Sequence, residues 1–339
     1  MNSRSRKAAA RREMHPGHFF SSSNVLIVAG KGGVGKTVTA AAVATAASRA
    51  GQSVLLVEVA GRSGAASLFG AEPKGYEEST VFEETEIDGV RHGSITLKSI
   101  TPDAALMEWL ETHGFKRLVG RMATTGLLEV VATATPGIKD LLILGRIKAF
   151  EEAGAYDLIV IDAPAAGHAV GFLRSPAGVR DAAKTGVLHR QAVEVLKMIG
   201  DPARCTVMLV TTPEETPVNE MIETSFAIEE DLGVHLGPAV VNSVLPDLDD
   251  LDRDLATLAA ESGLDLTDNE RTALTTAAGF RAGRLRLQRE QLDRLGAVLP
   301  LDQIRLPHRF GSSIGPGEIA ELATVLIAAI EALPEEGDE

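Results

Sequence analysis

One glycine-rich segment constrains the fold of this chain more than any other part of the sequence. An apolar run, NVLIVA, leads into GKGGVGKT at Gly30–Thr37, and an alanine-rich run that ends before Gly51 follows. The segment fits the phosphate-loop pattern G-x-x-x-x-G-K-[ST]. Because it follows a predicted strand and opens a predicted helix, backbone N–H groups and the helix N-terminus can surround phosphate oxygens there. The sequence therefore predicts a nucleotide-binding α/β fold.

The residue types of this loop have distinct predicted roles. Glycines let backbone N–H groups approach phosphate oxygens without interference from a Cβ atom. We expect Lys36 to reach the β- and γ-phosphates and the Thr37 hydroxyl to ligate Mg²⁺. The predicted nucleotide-binding residues of the loop are Gly30, Lys31, Gly32, Gly33, Val34, Gly35, Lys36, Thr37 and Val38.

Further short apolar runs predict the other buried strands of a parallel sheet. They are Ser53–Val59, Tyr156–Ile161, Cys205–Val210, Ala239–Val241 and Ile304–Leu306. Buried strands that alternate with helices form βαβ units, which give a doubly wound, mostly parallel sheet. Two alternating runs around Asp88-Gly89 also predict a β-hairpin.

The predicted organisation is one domain with two tails. The domain covers 21–335 and carries helical insertions at about 102–150 and 177–200. Residues 1–20 read as a basic, disordered tail and 336–339 as an acidic tail.

Composition excludes several classes of function. The 339 residues hold 47 acidic and 33 basic side chains, for a net charge of −14, which argues against nucleic acid as a partner. Ten Phe, one Trp and two Tyr are too few for base-stacking platforms. No run approaches the ~20 apolar residues of a membrane span, and no secretory signal is recognisable. We expect a cytoplasmic protein with at most peripheral membrane association.

The loop contains a second lysine, Lys31, which makes it the deviant form of the phosphate-loop (Walker A) motif. With it the loop resembles that of the P-loop ATPases (SIMIBI class) that include ParA, MinD, the nitrogenase iron protein and ArsA. The resemblance implies that the ligands are ATP or ADP with Mg²⁺. It also implies that Lys31 reaches across a nucleotide-sandwiched dimer to the partner's phosphates.

The segment Asp162–Leu173 is similar to the switch II sequence D-T-A-P-T-G-H-T-x-R-F-L of the ArsA and Get3 (TRC40) ATPases. An acid at the end of a buried strand can hold the Mg²⁺ shell, so Asp162 joins Thr37 as a predicted metal-site residue. The resemblance assigns Gly167 and His168 to the switch that senses the γ-phosphate, although a lone histidine is more often structural.

Later matches extend the resemblance over about residues 24–325, nearest to actinobacterial ArsA-like ATPases. By resemblance, Glu214 in PEETPVNE lies near the ribose, and Asn242 in Val241-Asn242 reads adenine. An asparagine amide can pair with both a donor and an acceptor of the base. Pro307, after the predicted last strand, corresponds to the proline beside adenine.

Two departures from the family pattern limit the prediction. Cys205 is the single cysteine, so neither an intrachain C-x-x-C zinc ligand pair nor an arsenite or iron–sulfur site can be built. In switch I, the family's water-orienting Asp falls on Ala60, which cannot polarise water. Glu58, two residues earlier on the same strand face, is the predicted substitute, and Arg62 offers a phosphate contact.

Three functions stay open. The first is an ArsA/Get3-like ATPase, a homodimeric or heterodimeric switch whose helical surface grips a hydrophobic or membrane-protein client. The second is a catalytically weak ATP-binding subunit of a heterodimer with a related ATPase. The third, a ParA/MinD-type positioning ATPase, is disfavoured by the acidic charge, since such proteins act on DNA or membranes.

Overall fold

A computed structural model describes residues 14–59, 64–74, 76–112, 137–248, 251, 253–311 and 313–334. The strands are β1 (Val25–Gly30), β2 (Val54–Val59), β3 (Ser79–Phe82), β4 (Thr85–Ile87), β5 (Val90–His92), β6 (Ile95–Ile100), β7 (Leu158–Ala165), β8 (Cys205–Thr211), β9 (Ala239–Val244) and β10 (Gln303–Pro307). The α-helices are α1 (Pro16–Ser21), α2 (Lys36–Arg49), α3 (Gly64–Leu68), α4 (Pro102–Thr112), α5 (Ile138–Ala153), α6 (Ala166–Ala182), α7 (Val187–Ile199), α8 (Glu215–Phe226), α9 (Leu255–Glu261), α10 (Asp268–Val298) and α11 (Pro316–Glu331), and a π-helical turn (Ala227–Asp231) follows α8.

Eight strands form one twisted sheet in the order β10-β9-β8-β1-β7-β2-β6-β3. All neighbouring pairs are parallel except β3 with β6, which is antiparallel. Strand β1 lies between β7 and β8. Strands β2, β6 and β3 lie beyond β7 on one side, and β9 and β10 lie beyond β8 on the other. The predicted doubly wound, mostly parallel sheet is therefore confirmed. The loops after β1 and β8 and the start of α6, which follows β7 directly, lie together at its carboxyl edge.

Helices cover both faces of the sheet and enclose a hydrophobic core on each face. On one face, α5, α6 and α7 pack over alternate side chains of the central strands. On the other face, α2 packs between the sheet and α11. Nine of the fourteen residues of α2 are buried and most of them are alanine, so the helix approaches the strands closely and fixes where the loop before it can lie.

The predicted disordered tail over 1–20 is wrong for its last residues. Helix α1 begins at Pro16, and the His15 ring accepts the Gly17 N–H at 3.1 Å. Phe20 is 2% exposed because α1 packs against α2 and α11. The body of the protein therefore includes residues 14–20, while residues 1–13 and the predicted acidic tail lie outside the described residues.

The predicted helical segments are helical wherever they are described. Helices α4 and α5 occupy the two ends of 102–150, and 113–136 lie outside the described residues. The end of α6 and α7 account for 177–200, and α4, α5, α6 and α7 pack on one another. The predicted hairpin is confirmed as β4–β5, with Asp88 and Gly89 at φ 52° and 77°. Among the helices of the described ranges, none has the length and apolar character needed to cross a bilayer.

Candidate nucleotide-binding site

The glycine-rich loop crosses the carboxyl edge of the sheet between β1 and α2. Gly33 and Gly35 have φ angles of 90° and 89°, which only glycine adopts without strain. A Cβ on Gly35 would lie 2.2 Å from Asn242 Nδ2. That amide donates a hydrogen bond of 2.9 Å to the Val34 carbonyl, so the end of β9 holds the loop from its outer side. The loop is thus shaped by its own glycines and by one buried asparagine.

The two lysines of the loop have different partners. Lys36 Nζ donates to the Lys31 carbonyl oxygen at 3.1 Å. The side chain predicted to bind the β- and γ-phosphates is therefore bonded to the backbone of the loop itself. Lys31 Nζ forms an ion pair with Glu220 Oε1 of α8, and both side chains are about one third exposed (32% and 37%). Within a single chain, the lysine predicted to reach a partner's phosphates is therefore neutralised by α8.

Thr37 and Asp162 meet in the first turn of α2. The Thr37 hydroxyl donates to Asp162 Oδ2 at 2.6 Å, and Asp162 Oδ1 is buried without a hydrogen-bond partner among the described residues. Burial raises the pKa of Asp162, while the Thr37 hydrogen bond and the Lys36 charge oppose that rise. Mg²⁺ at phosphate sites keeps waters and takes one or two protein oxygens. The unpaired oxygen and the hydroxyl fit that ion.

Glu58 lies beside this pair but faces the protein backbone. It is 5% exposed, and its Oε1 accepts the Ala65 N–H of α3 at 2.8 Å. Burial, and secondarily the charge of Asp162, raises the pKa of Glu58. The side chain predicted to orient water is therefore engaged by the start of α3.

A cleft of about 870 Å³ opens from the loop toward α10. It is lined by residues of the loop, the ends of β8 and β9, α10 and the segment after β10: Gly33, Thr212, Pro213, Glu214, Glu215, Ser243, Leu245, Phe280, Arg281, Arg284, Leu287, Gln288, Gln291 and His308. Glu214, predicted near the ribose, accepts from Arg284 at 3.1 Å. Pro307 ends β10 in register with Val244, next to His308 of the lining. The cleft opens beside the glycine-rich loop and is large enough to hold a nucleoside.

Several residues near the loop and this cleft carry no recognisable signal in the sequence. Gln288 of α10 accepts from the Leu245 N–H at 2.8 Å and donates to the Leu245 carbonyl at 3.0 Å, which ties α10 to the end of β9. Ser243 has a left-handed φ of 59° and lines the cleft. Glu220, the last residue of PEETPVNE, pairs with Lys31, and the motif predicts no role for it. No spacing signal identifies such contacts, since each joins segments distant in sequence.

Some predicted residues lie beyond what the structure describes. Ala60 and Arg62 lie outside the described residues. The backbone of Gly167 and His168 forms the start of α6, but their side-chain placement also lies outside the description. Their predicted switch roles stay predictions.

Comparison with known proteins gives a consistent family signal. The family model described as anion-transporting ATPase matches residues 23–198. ATPase BagA of Mycobacterium tuberculosis is 36% identical over 261 residues, which cover 74% of this chain and 73% of BagA. A Halobacterium salinarum protein, provisionally named an arsenical pump-driving ATPase, is 25% identical over 66% of this chain and 36% of its own length. ATPase get3 of Neurospora crassa is 27% identical over 58% of this chain and 55% of its own.

Proposed function

The chain belongs to the ArsA ATPase family, and on that premise we propose that it binds and hydrolyses ATP with Mg²⁺ and acts as a nucleotide-driven dimeric switch. The observation that carries the proposal is the contact between Thr37 and Asp162 at the end of the glycine-rich loop. It brings a hydroxyl and a carboxylate with one unpaired oxygen to the place where β- and γ-phosphates lie in P-loop enzymes.

Different residues of the chain bind the phosphates, the Mg²⁺ ion and the nucleoside of ATP. Backbone N–H groups of the loop and the N-terminus of α2 bind the phosphates. Lys36 exchanges the Lys31 carbonyl for the β- and γ-phosphate oxygens, and Thr37 with Asp162 would hold Mg²⁺. Bound Mg²⁺ supplies positive charge that neutralises the transferred phosphoryl group. The base and ribose occupy the cleft, which Glu214 lines and whose lining residues Ser243 and His308 directly follow Asn242 and Pro307 in the chain.

Assembly and client are proposed from the family resemblance. A cytoplasmic homodimer, or a heterodimer with a related ATPase, brings two loops together so that Lys31 can reach the opposite phosphates. Opening and closing of this dimer moves the helical surface of α4, α5 and α7, which grips a hydrophobic or membrane-protein client. Because Cys205 is the single cysteine of the sequence, an intrachain pair of zinc-binding cysteines cannot hold this dimer.

A second function is favoured by one feature of the sequence. Alanine at position 60 stands where the family has the aspartate that polarises water. The chain would then be a slow ATP-binding subunit that depends on a partner for its chemistry. A positioning ATPase remains the lesser alternative, because the net charge of −14 opposes binding to DNA.

Phosphate release under saturating Mg-ATP tests the proposal. We expect Lys36→Ala to lower kcat at least about 100-fold, because one preorganised charge at a phosphate has that effect. Lys197→Ala, an exposed lysine of α7, is the matched control and should leave kcat unchanged. Equal phosphate release by wild type and Lys36→Ala would refute hydrolysis. Retained ATP binding with no turnover, and turnover gained in Ala60→Asp, would establish the weak-subunit alternative.

A further inference from the structure

Two carboxylates lie side by side on the face of the sheet that carries α2. Glu58 of β2 and Asp162 of β7 are register partners in neighbouring parallel strands, so their side chains point to the same face. Asp162 is bonded to Thr37, whereas Glu58 is almost fully buried and must find its partners within the protein. The structure provides those partners at the start of α3.

The first turn of α3 is bonded to Glu58 and lies beside Thr37. Glu58 Oε1 accepts the Ala65 N–H at 2.8 Å. A Cβ placed on Gly64 would lie 3.5 Å from Thr37 Cγ2 and 4.0 Å from Glu58 Oε1, and α3 packs against α2, so the start of α3 lies beside both side chains. The start of α3 is therefore hydrogen-bonded to Glu58 and lies beside Thr37, which is hydrogen-bonded to Asp162. Thr37 and Asp162 are the residues predicted to hold Mg²⁺.

This geometry suits a hydrogen-bond acceptor better than a general base. A base must reach the proton that it removes, directly or through one water. Glu58 is 5% exposed and already accepts from a backbone donor whose loss would leave an unsatisfied N–H. We propose that Glu58 is a positioning residue, which holds the first turn of α3 against the Thr37–Asp162 pair, so that turnover needs its acceptor oxygen and not its basicity. The proposal rests on the ATPase function proposed above.

Two nearly isosteric substitutions separate these roles. Glu58→Gln keeps an acceptor oxygen and removes the base. Glu58→Met keeps the length of the side chain and removes both. Since an apolar side chain replaces a buried carboxylate in Glu58→Met, the variant is expected to fold. Thermal denaturation of both variants checks this directly.

The measurements are turnover under saturating Mg-ATP and amide hydrogen exchange across α3. We expect Glu58→Gln to keep kcat within about threefold of wild type and Glu58→Met to lose at least about tenfold, in line with the loss of a hydrogen bond to a charged group. The Ala65 amide should exchange at least about tenfold faster in Glu58→Met alone. Protection of 64–68 by Mg-ATP should persist in the Gln variant and vanish in the Met variant.

Two other outcomes would overturn the proposal that Glu58 is a positioning residue. Equal loss of turnover in both variants, with unchanged exchange of Ala65, would make Glu58 a base and overturn the proposal. Unchanged turnover and exchange in both would make Glu58 dispensable and also overturn it. If wild type shows no turnover that depends on Lys36, the ATPase proposal fails. The exchange of Ala65 and the Mg-ATP protection of 64–68 then still decide the role of Glu58.

Discussion

Among single residues, Gly35 combines two constraints that are usually separate. Its φ of 89° excludes most side chains by backbone strain, and its missing Cβ leaves room for Asn242 Nδ2. Asn242 in turn fixes the Val34 carbonyl. A side chain at position 35 therefore displaces the residue that supports the loop as well as straining the loop itself.

We expect Gly35→Ala to weaken ATP binding at least about tenfold, because loss of one well-placed hydrogen bond and about 1–2 kcal/mol of left-handed strain act together. Gly89→Ala is the matched control: Gly89 has a φ of 77° in the β4–β5 turn, and a Cβ there meets nothing within 4 Å. Gly89→Ala should lower the stability of the protein and leave its affinity for ATP unchanged. Titration with a fluorescent ATP analogue and thermal denaturation measure the two effects, and equal ATP affinity in both variants would contradict the explanation.

The site was only partly predictable at this scale. The loop pattern placed Thr37 and Asp162 together because a phosphate loop and the end of a neighbouring parallel strand must share one sheet edge. The partners of Lys31 and Glu58 were not predictable. Glu220 and the Ala65 N–H reach them through the packing of α8 and α3, which no local pattern encodes.

At the scale of elements, strands that read as uniform apolar runs were predicted and mixed ones were missed. Strand β6, ITLKSI, contains buried Lys98, which pairs with Glu78 at 3.2 Å and lies 4.9 Å from the centre of the Tyr76 ring. Because apolar and polar residues alternate in this segment, the sequence predicts it as part of the hairpin around Asp88-Gly89. In the fold it is a separate strand parallel to β2, and the hairpin is the small β4–β5 pair.

Helix α5 is joined to the amino ends of two central strands through one buried carboxylate. Glu151 accepts from Arg204 Nε at 2.9 Å, contacts Arg204 through its second oxygen and accepts from Asn24 Nδ2 at 3.2 Å. Asn24 precedes β1, and Arg204 precedes β8. The hydrogen bond from Arg204 lowers the pKa of Glu151.

Because that pKa is lower in the folded chain than in the unfolded one, the stabilisation exists above the ordinary glutamate value and disappears as pH falls through the lowered one. We expect Glu151→Gln to lose about 1–3 kcal/mol of unfolding free energy at pH 7, the range for a hydrogen bond to a charged group. The difference from wild type should shrink toward zero in acid. Urea denaturation at pH 7 and near pH 3.5 measures it, and a difference independent of pH would show that shape, not charge, matters.

At the scale of the whole molecule, the fold gathers its chemistry at one edge around β1. The loops after β1 and β8 meet there with the start of α6, which follows β7 directly. Helices α8 and α10 line the cleft, and α2 and α3 supply Thr37 and the Ala65 N–H beside it. The proposed dimer must present this same edge to a second copy of a chain with a net charge of −14. Charges at the edge therefore affect assembly as well as nucleotide binding.

The pair of Lys31 with Glu220 opposes assembly in this arrangement. Lys31 cannot reach a partner's phosphate while it is bound to α8, and release leaves Glu220 unpaired near another acidic chain. An ion pair that is about one third exposed, as this one is, contributes about 0.2–1 kcal/mol, and two such pairs break per homodimer. We expect Glu220→Gln to tighten the nucleotide-dependent dimer by roughly 2- to 30-fold.

Sedimentation velocity with Mg²⁺ and a non-hydrolysable ATP analogue measures this dissociation constant. Glu223→Gln, on the exposed side of the same helix, removes an equal charge without contacting Lys31 and serves as the control. The same tightening in both variants would reduce the effect to net charge. A weaker dimer in Glu220→Gln would instead mean that Glu220 contributes to the interface. Tightening confined to Glu220→Gln would show that association breaks the Lys31–Glu220 pair, because only that pair differs between the two variants.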